Sequence, residues 1–143
     1  EAGDLPIGSE KLSTAVERRS RATVDLLVGQ GRKVVILEPI PVGPEGSDPI
    51  TCLAEAEALE ECRFVSHTDP TPVERIYRAL DEDSADVATA DLDLLVCPYL
   101  PICDPLSGRT VVFRDDIHLT RTFAASLSTR FGDYLDEVGF LPR

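Results

Sequence analysis

The chain has 143 residues, with 26 acidic and 14 basic side chains and a net charge of −12. Apolar residues make up 43% and charged residues 28%, as in ordinary globular domains, and no apolar run approaches the roughly 18 residues of a membrane span. Because a strongly acidic protein is repelled by phosphate backbones and anionic head groups, we predict no nucleic-acid binding and no membrane insertion by this chain.

The first third of the chain predicts a helix followed by a strand. Residues Ser9–Gln30 show helical spacing of apolar side chains, at Leu12, Val16, Val24, Leu27 and Val28. The continuous apolar run Val34–Leu37 comes directly after this helix and predicts a central parallel strand that is apolar on both faces. Residues 42–49 are rich in Gly, Pro, Ser and Asp and predict a loop at the carboxyl end of that strand, where sites gather in open α/β sheets.

The middle of the chain predicts two helices and a strand. The first helix is predicted over Thr51–Cys62. The second opens at the capping box Thr71-Pro72-Val73-Glu74, with proline at the first helical position, and runs to about Asp83. Asp86–Ala90 predicts a strand, and Leu92–Val96 either extends that strand or forms a separate turn.

The last third predicts a turn, an extended segment and a final helix. Ser107-Gly108 predicts the turn, Thr110–Phe113 the extended segment, and about Thr120 to Val138 an amphipathic helix. Strand runs that are apolar throughout and alternate with helices indicate an α/β sandwich. We predict a single α/β domain over residues 1–143.

The four cysteines form two close pairs in sequence, Cys52 with Cys62 and Cys97 with Cys103. Three connectivities are open, and we predict structural disulfides over reduced thiols or a metal site. Neither pair has zinc-knuckle spacing and no histidine is near the second pair, so no metal and no cofactor is predicted. Disulfides would place the domain outside the cytoplasm.

Only two histidines are candidates for proton transfer at neutral pH. His67 lies in a polar loop before a helix, where a loop or capping role is expected. His118 lies in Arg114-Asp115-Asp116-Ile117-His118-Leu119-Thr120, between an extended segment and a helix. Asp115 can accept a hydrogen bond from one ring nitrogen of His118, which leaves the other free to take a proton from a serine. Alternatively, Asp115 or Asp116 caps the helix and His118 is only a loop residue.

The carboxyl-terminal half resembles an SGNH-type hydrolase domain, and it is most similar to the extracytoplasmic SGNH domain fused to acyltransferase family 3 membrane proteins. The resemblance is carried by Cys97-Pro98 with Cys103, by Gly108–Phe113, and by the His118 segment. It is weaker upstream, at Val34–Pro41 and Thr51-Cys52-Leu53. In all it covers about residues 30–140.

This resemblance implies a flavodoxin-like three-layer sandwich with a mostly parallel sheet, in which Asp115 orients His118 and His118 acts as general base on a serine. It implies transfer of an acyl group, expected to be acetyl, from an acyl donor to a hydroxyl of a cell-envelope sugar or lipid. The implied partner is an upstream transmembrane acyltransferase portion, which would deliver the donor and tether the domain on the extracytoplasmic side.

The sequence departs from this family where the nucleophile is expected. It has no Gly-Asp-Ser motif and no asparagine for an oxyanion hole, and neither Ser9 nor Ser47 stands in the family's context. Since the chain also lacks methionine, we expect the serine and the first strand to lie upstream of Glu1, which would leave this chain inactive alone.

Three further expectations concern oligomeric state and alternative functions. The open sheet edge left by a missing strand could recruit a second copy and form a homodimer. A non-enzymatic extracytoplasmic binding domain with the same fold is the alternative function. A cytoplasmic α/β regulatory module with reduced thiols is a third hypothesis.

Overall fold

The computed structural model describes residues 9–137, 139 and 140, with side chains from Leu12 onward. The strands are β1 (Val34–Leu37), β2 (Phe64–Val65), β3 (Val87–Ala90), β4 (Ile102–Cys103), β5 (Leu106–Ser107) and β6 (Thr110–Val111). The α-helices are α1 (Ser9–Val28), α2 (Pro49–Glu55), α3 (Pro72–Glu82), α4 (Asp93–Val96), α5 (Arg121–Ser126) and α6 (Ser128–Glu137), and a 3₁₀ helix spans Leu59–Cys62. The chain divides into two compact units, residues 1–38 with 69–90 and residues 39–68 with 91–143.

The first unit is a parallel strand pair covered by two helices. β1 pairs with β3 in parallel, from Val34 opposite Val87 to Leu37 opposite Ala90. The buried core of this unit is formed by α1, α3 and β3 through Val24, Leu80 and Val87. The predicted parallel pairing is therefore confirmed, but the predicted central position is wrong for the described residues: β1 has one neighbouring strand, none of its residues is buried, and Leu37 is 53% exposed.

The capping box of α3 is confirmed in detail. The Thr71 hydroxyl accepts from the Glu74 N–H at 3.3 Å, and the Glu74 carboxylate accepts from the Thr71 N–H. Pro72 occupies the first turn, where its missing N–H removes no helical hydrogen bond. The box is local in sequence, which is why the residues alone predict it.

The apolar face predicted for α1 is correct from Val16 onward but not at Leu12. Val24 is buried, but Leu12 is 45% exposed, so its placement on the buried face is wrong. A 20-residue helix is about 30 Å long, whereas the four-residue strands β1 and β3 span about 13 Å. The first turns of α1 therefore extend past the strands.

One edge of β1 has no strand beside it among the described residues. Val34 and Glu38 donate their backbone N–H groups toward β3, to Asp86 and Ala90. The backbone groups of the alternate residues Val35 and Leu37 face the other way. Pairing of this edge with a second copy stays a prediction.

The second unit has two short antiparallel pairs, β2 with β4 and β5 with β6. Its buried core is Val96, Cys97, Cys103, Val112, Phe113, Phe123 and Leu127. Phe64 packs edge-to-face on Phe113, with ring centroids 5.2 Å apart. The α/β class is confirmed, while the larger flavodoxin-like sandwich and the single domain stay predictions.

Both disulfides join the cysteines that are close in sequence, Cys52 with Cys62 and Cys97 with Cys103. A continuous helix over Thr51–Cys62 is wrong, because it would set Cys52 and Cys62 about 15 Å apart along its axis. Their Cα atoms are 5.8 Å apart. The segment therefore breaks after Glu55 and continues as the 3₁₀ helix.

Two other boundaries differ from the sequence prediction. Of the two alternatives for Leu92–Val96, the strand extension is wrong and the separate turn is correct, since Asp93–Val96 forms the one-turn helix α4. The predicted helix from Thr120 to Val138 begins at Arg121 and is divided at Leu127, and Val138 lies outside the described residues. At the division the Ser126 hydroxyl donates to the Phe123 carbonyl at 2.6 Å, and the Leu127 N–H is bonded to Ala124 instead.

Candidate functional site

The His118 loop is fixed at its base on the second unit's core. Phe113 and Leu119 form an antiparallel bridge, and the Arg114 N–H donates to the His118 carbonyl at 2.8 Å. Thr120 then caps α5, since its hydroxyl accepts from the Phe123 N–H at 3.2 Å. His118 thus lies on a closed loop between the end of an extended segment and a helix start.

Within this loop, one carboxylate holds the imidazole. Asp115 Oδ1 is 2.8 Å from His118 Nδ1, and the same oxygen accepts the backbone N–H groups of Ile117 at 3.1 Å and His118 at 2.8 Å. An ionised carboxylate only accepts hydrogen bonds, so Nδ1 must carry the proton. The side chain of His118 is 56% exposed, and no described residue hydrogen-bonds its Nε2. Nε2 is therefore the nitrogen that can accept a proton.

The pKa of Asp115 is lowered from 3.8 to about 2. Desolvation alone would raise it, but hydrogen bonds from the Ile117 N–H, the His118 ring, the His118 N–H and Arg114 together outweigh that effect. Arg114 contributes weakly, with its guanidinium 3.3 Å from Asp115 Oδ2. The carboxylate is consequently ionised throughout the pH range in which a histidine titrates.

A carbon-detected NMR titration of the Asp115 carboxyl should give a midpoint near pH 2 instead of 3.8. Because the pKa of Asp115 is lower in the folded state, the ionised carboxylate stabilises the folded state fully above about pH 4, and this stabilisation is lost as pH falls toward 2. His118→Ala should raise the midpoint only part of the way to 3.8, since the backbone donors remain. A wild-type midpoint at or above 3.8 would contradict this hydrogen-bond network.

A second loop is attached to the His118 loop through Asp116. Its main-chain carbonyl accepts the Gly43 N–H at 2.9 Å, and its Oδ2 accepts the Gly46 N–H at 2.8 Å. Pro44 to Ser47 form a tight turn, in which the Ser47 N–H donates to Pro44 at 2.9 Å and Gly46 has φ +75°. The sequence analysis predicts only a loop here. The signal that it leaves unused is Gly46 at the third turn position, where a positive φ is typical of a type II turn.

The remaining sequence candidates lie elsewhere. His67 is exposed in the loop between β2 and α3. Ser47 is half-buried, and its hydroxyl has no hydrogen-bond partner in the described part of the chain. Ser9 begins α1, and its side chain lies outside the described residues. The structure therefore brings Asp115 and His118 together, but no serine of the described residues hydrogen-bonds His118.

No cluster of three or more His, Cys, Asp or Glu side chains in the described part of the chain could hold a metal ion. None of the described helices is both long and apolar enough to cross a membrane.

A family model described as an SGNH domain fused to AT3 domains matches residues 3–133. The chain belongs to this SGNH domain family. The match includes the His118 loop, the Pro44–Ser47 turn and the cysteines of both disulfides, so the resemblance drawn from the carboxyl-terminal half is confirmed over a longer stretch. No curated protein and no solved structure shows significant similarity to the chain.

Membership associates this SGNH domain with membrane acyltransferases through the AT3 fusion. The SGNH domain described here still lacks the Gly-Asp-Ser motif and any asparagine in its 143 residues. Asp115 and His118 are therefore the candidate catalytic residues that this chain itself contains.

Proposed function

We propose that this SGNH domain is the extracytoplasmic part of an O-acyltransferase. It transfers an acyl group, expected to be acetyl, to a hydroxyl of a cell-envelope glycan or glycolipid. The observation that carries the proposal is the 2.8 Å contact between Asp115 and His118 Nδ1, combined with an exposed ring whose Nε2 is open. This arrangement is what a general base for serine activation requires.

The proposed reaction has two steps. In the first, His118 Nε2 takes the proton of a serine hydroxyl while the serine oxygen attacks the acyl carbonyl, and the protonated imidazole then returns that proton to the leaving group of the donor. In the second, Nε2 takes the proton of the acceptor hydroxyl, whose oxygen attacks the acyl-serine ester. The imidazole then returns a proton to the serine. Asp115 stays ionised and stabilises the imidazolium in both steps.

The serine and the oxyanion donors of this mechanism belong, in our proposal, to polypeptide outside the 143 residues. Neither Ser9 nor Ser47 follows the family's Gly-Asp-Ser order. The AT3 portion of the complete protein would supply the acyl donor from the membrane. The disulfides Cys52–Cys62 and Cys97–Cys103 support an oxidising, extracytoplasmic location.

A non-catalytic extracytoplasmic binding domain is the second candidate function. It is favoured by the absence of a serine bonded to His118 in the described residues and by the missing Gly-Asp-Ser motif. In that case the Asp115–His118 pair would only stabilise its loop.

Trapping of an acyl-enzyme in the complete protein distinguishes the two functions. The protein is incubated with an activated acetyl ester, quenched in acid and analysed by peptide mass spectrometry. The proposal expects one acetylated serine, formed at a rate that falls steeply in His118→Ala. If no serine is acetylated in the wild type, the catalytic proposal fails and the binding domain is supported.

A further inference from the structure

The unit that contains the His118 loop also has a cavity of about 200 Å³. One wall is the Pro44–Ser47 turn, and the other walls are the start of α2, the Cys52–Cys62 disulfide and Phe64. The volume is below the range of about 300–1,000 Å³ that drug-sized ligands occupy. The cavity therefore suits a compact group, such as one sugar ring.

Asp116 connects this cavity to the candidate catalytic loop. Its main-chain carbonyl accepts the Gly43 N–H and its Oδ2 accepts the Gly46 N–H, so Asp116 fixes the turn that forms one wall. The preceding residue, Asp115, holds the imidazole of His118. Two adjacent residues thus position a cavity wall and the general base, although the turn is 70 residues away in sequence.

The polar groups that line the cavity are mostly hydrogen-bond acceptors. Asp48 accepts from Ile50 and Thr51 while capping α2, and hydrogen bonds from the Thr51 backbone and side chain lower its pKa, so it is ionised. Glu61 adds a second carboxylate, of which one oxygen accepts the Ala58 N–H at 3.1 Å. Such groups favour a ligand that donates hydrogen bonds.

The one cationic group in the lining is already engaged. Arg63 Nε is 2.5 Å from Asp104 Oδ1, and its guanidinium is 3.4 Å from Glu60. An anionic ligand would therefore meet two carboxylates without a free cation to compensate them. The rest of the lining includes the rings of Pro44, Pro49 and Phe64, which suit the C–H face of a sugar.

We propose that this cavity binds the neutral, hydroxyl-bearing acceptor and that Asp116 is the positioning residue which holds the cavity wall beside the His118 loop. The identification of this ligand as the acyl acceptor rests on the proposed function, whereas binding of a neutral polyol by the cavity does not. Hydroxyl groups of the ligand would donate to Asp48 and Glu61. Ser47 also lines the cavity, and its buried hydroxyl has no partner among the described residues.

Binding is tested on the chain itself by ¹H–¹⁵N NMR titration with three probes that share one ring. These are methyl β-D-glucopyranoside, glucosamine and glucuronate, which are neutral, cationic and anionic. We expect saturable shifts of the Gly46, Ser47 and Phe64 amides with the neutral probe and none with glucuronate. If the neutral probe causes no shift, or either charged probe binds more tightly than it does, the proposal is overturned.

Asp116 variants test the positioning role. Asp116→Ala should weaken binding of the neutral probe about fivefold to tenfold, since the Gly46 N–H loses its acceptor. Asp116→Asn keeps an acceptor oxygen and should restore most of the affinity. Asp133→Ala, at an exposed position on α6, is the matched control and should bind as the wild type does. Equal binding by Asp116→Ala and Asp133→Ala would remove Asp116 from the proposal.

The Pro44–Ser47 turn can also be perturbed by a substitution that leaves Asp116 unchanged. A Cβ at Gly43 would lie 2.8 Å from Ser47 Oγ, so in Gly43→Ala either the Ser47 side chain or the turn must shift, and probe binding should weaken. Adding Ser47→Ala removes the clashing atom and should recover binding in the double variant. If Gly43→Ala binds normally, the turn is not a wall of the site.

Kinetics on the complete protein separate this inference from the proposed function. Asp116→Ala should raise the KM for a glycoside acceptor by a larger factor than it changes kcat. If the protein forms no acyl-enzyme but the cavity binds the neutral probe, the function fails and the binding site stands. If transfer depends on His118 but KM is the same in Asp116→Ala and Asp133→Ala, the inference fails and the function stands.

Discussion

His118→Ala should lower acyl transfer by the complete protein by about four orders of magnitude or more, the loss typical of a missing general base in a serine-dependent site. The reason is that Nε2 takes the proton in both proposed steps. The measurement is the initial rate of acyl transfer, or of ester hydrolysis, under identical conditions. His67→Ala is the matched control because His67 is also exposed and lies in a loop.

Asp115→Asn tests the same site through the proton on Nδ1. The asparagine amide can donate toward Nδ1 and so favour the unproductive tautomer, and it cannot stabilise an imidazolium as a carboxylate does. The rate should fall by about three to four orders of magnitude. Asp116→Asn, at the next residue, keeps the acceptor for Gly46 and should have a far smaller effect on the rate.

The predicted losses of acyl-transfer rate must be distinguished from losses that are caused by unfolding of the variants. The His118 ring is 56% exposed, so His118→Ala should leave the thermal unfolding midpoint within about 2 °C of the wild type. A variant that folds normally and retains a tenth or more of the wild-type rate would show that His118 is not the general base. Equal losses in His118→Ala and His67→Ala would point to a non-specific effect.

The parts of the fold that the sequence predicts are those fixed by neighbours in the chain. The box at Thr71 and Glu74 involves residues three apart, and Asp115 reaches His118 over the same separation. Val34–Leu37 is correctly predicted as a parallel strand from its continuous apolar run after a helix. The coverage on both faces that such a run suggests is absent, since none of the four residues is buried. The catalytic role of the Asp115–His118 pair stays a prediction.

The errors and omissions occur where distant residues decide the structure. The helix predicted over Thr51–Cys62 ignored that a bond between Cys52 and Cys62 is incompatible with a continuous helix. The contact of Asp116 with Gly46 spans 70 residues, and neither residue alone carries a signal for it.

A large loss of stability from a single substitution in the first unit is expected at the Arg78–Glu38 pair. Glu38 directly follows β1, and its side chain is only 3% exposed. Arg78 on α3 holds it through two hydrogen bonds, Nε to Oε1 at 2.9 Å and Nη2 to Oε2 at 2.6 Å. Such a paired fork suits a carboxylate that has little contact with water.

Arg78→Ala should lower the free energy of unfolding by about 3 kcal/mol, because it leaves a buried carboxylate without its counter-ion. Arg21→Ala is the matched control, since Arg21 pairs with Asp83 at 2.9 Å in the same unit, with side chains 43% and 58% exposed. Exposed pairs contribute little, and this variant should lose about 0.5 kcal/mol or less. Chemical denaturation monitored by circular dichroism gives both values.

Glu38→Gln in the Arg78→Ala background decides whether burial of an unpaired charge causes the loss of stability in Arg78→Ala. A neutral amide of the same shape is less costly to bury than an unpaired carboxylate, so the double variant should be more stable than Arg78→Ala alone. If Arg78→Ala and Arg21→Ala lower the free energy of unfolding by the same amount, the burial of Glu38 does not increase the stabilisation that its ion pair provides. If Glu38→Gln fails to recover stability, packing of the arginine stem over the strand pair, and not its charge, is what Arg78 contributes.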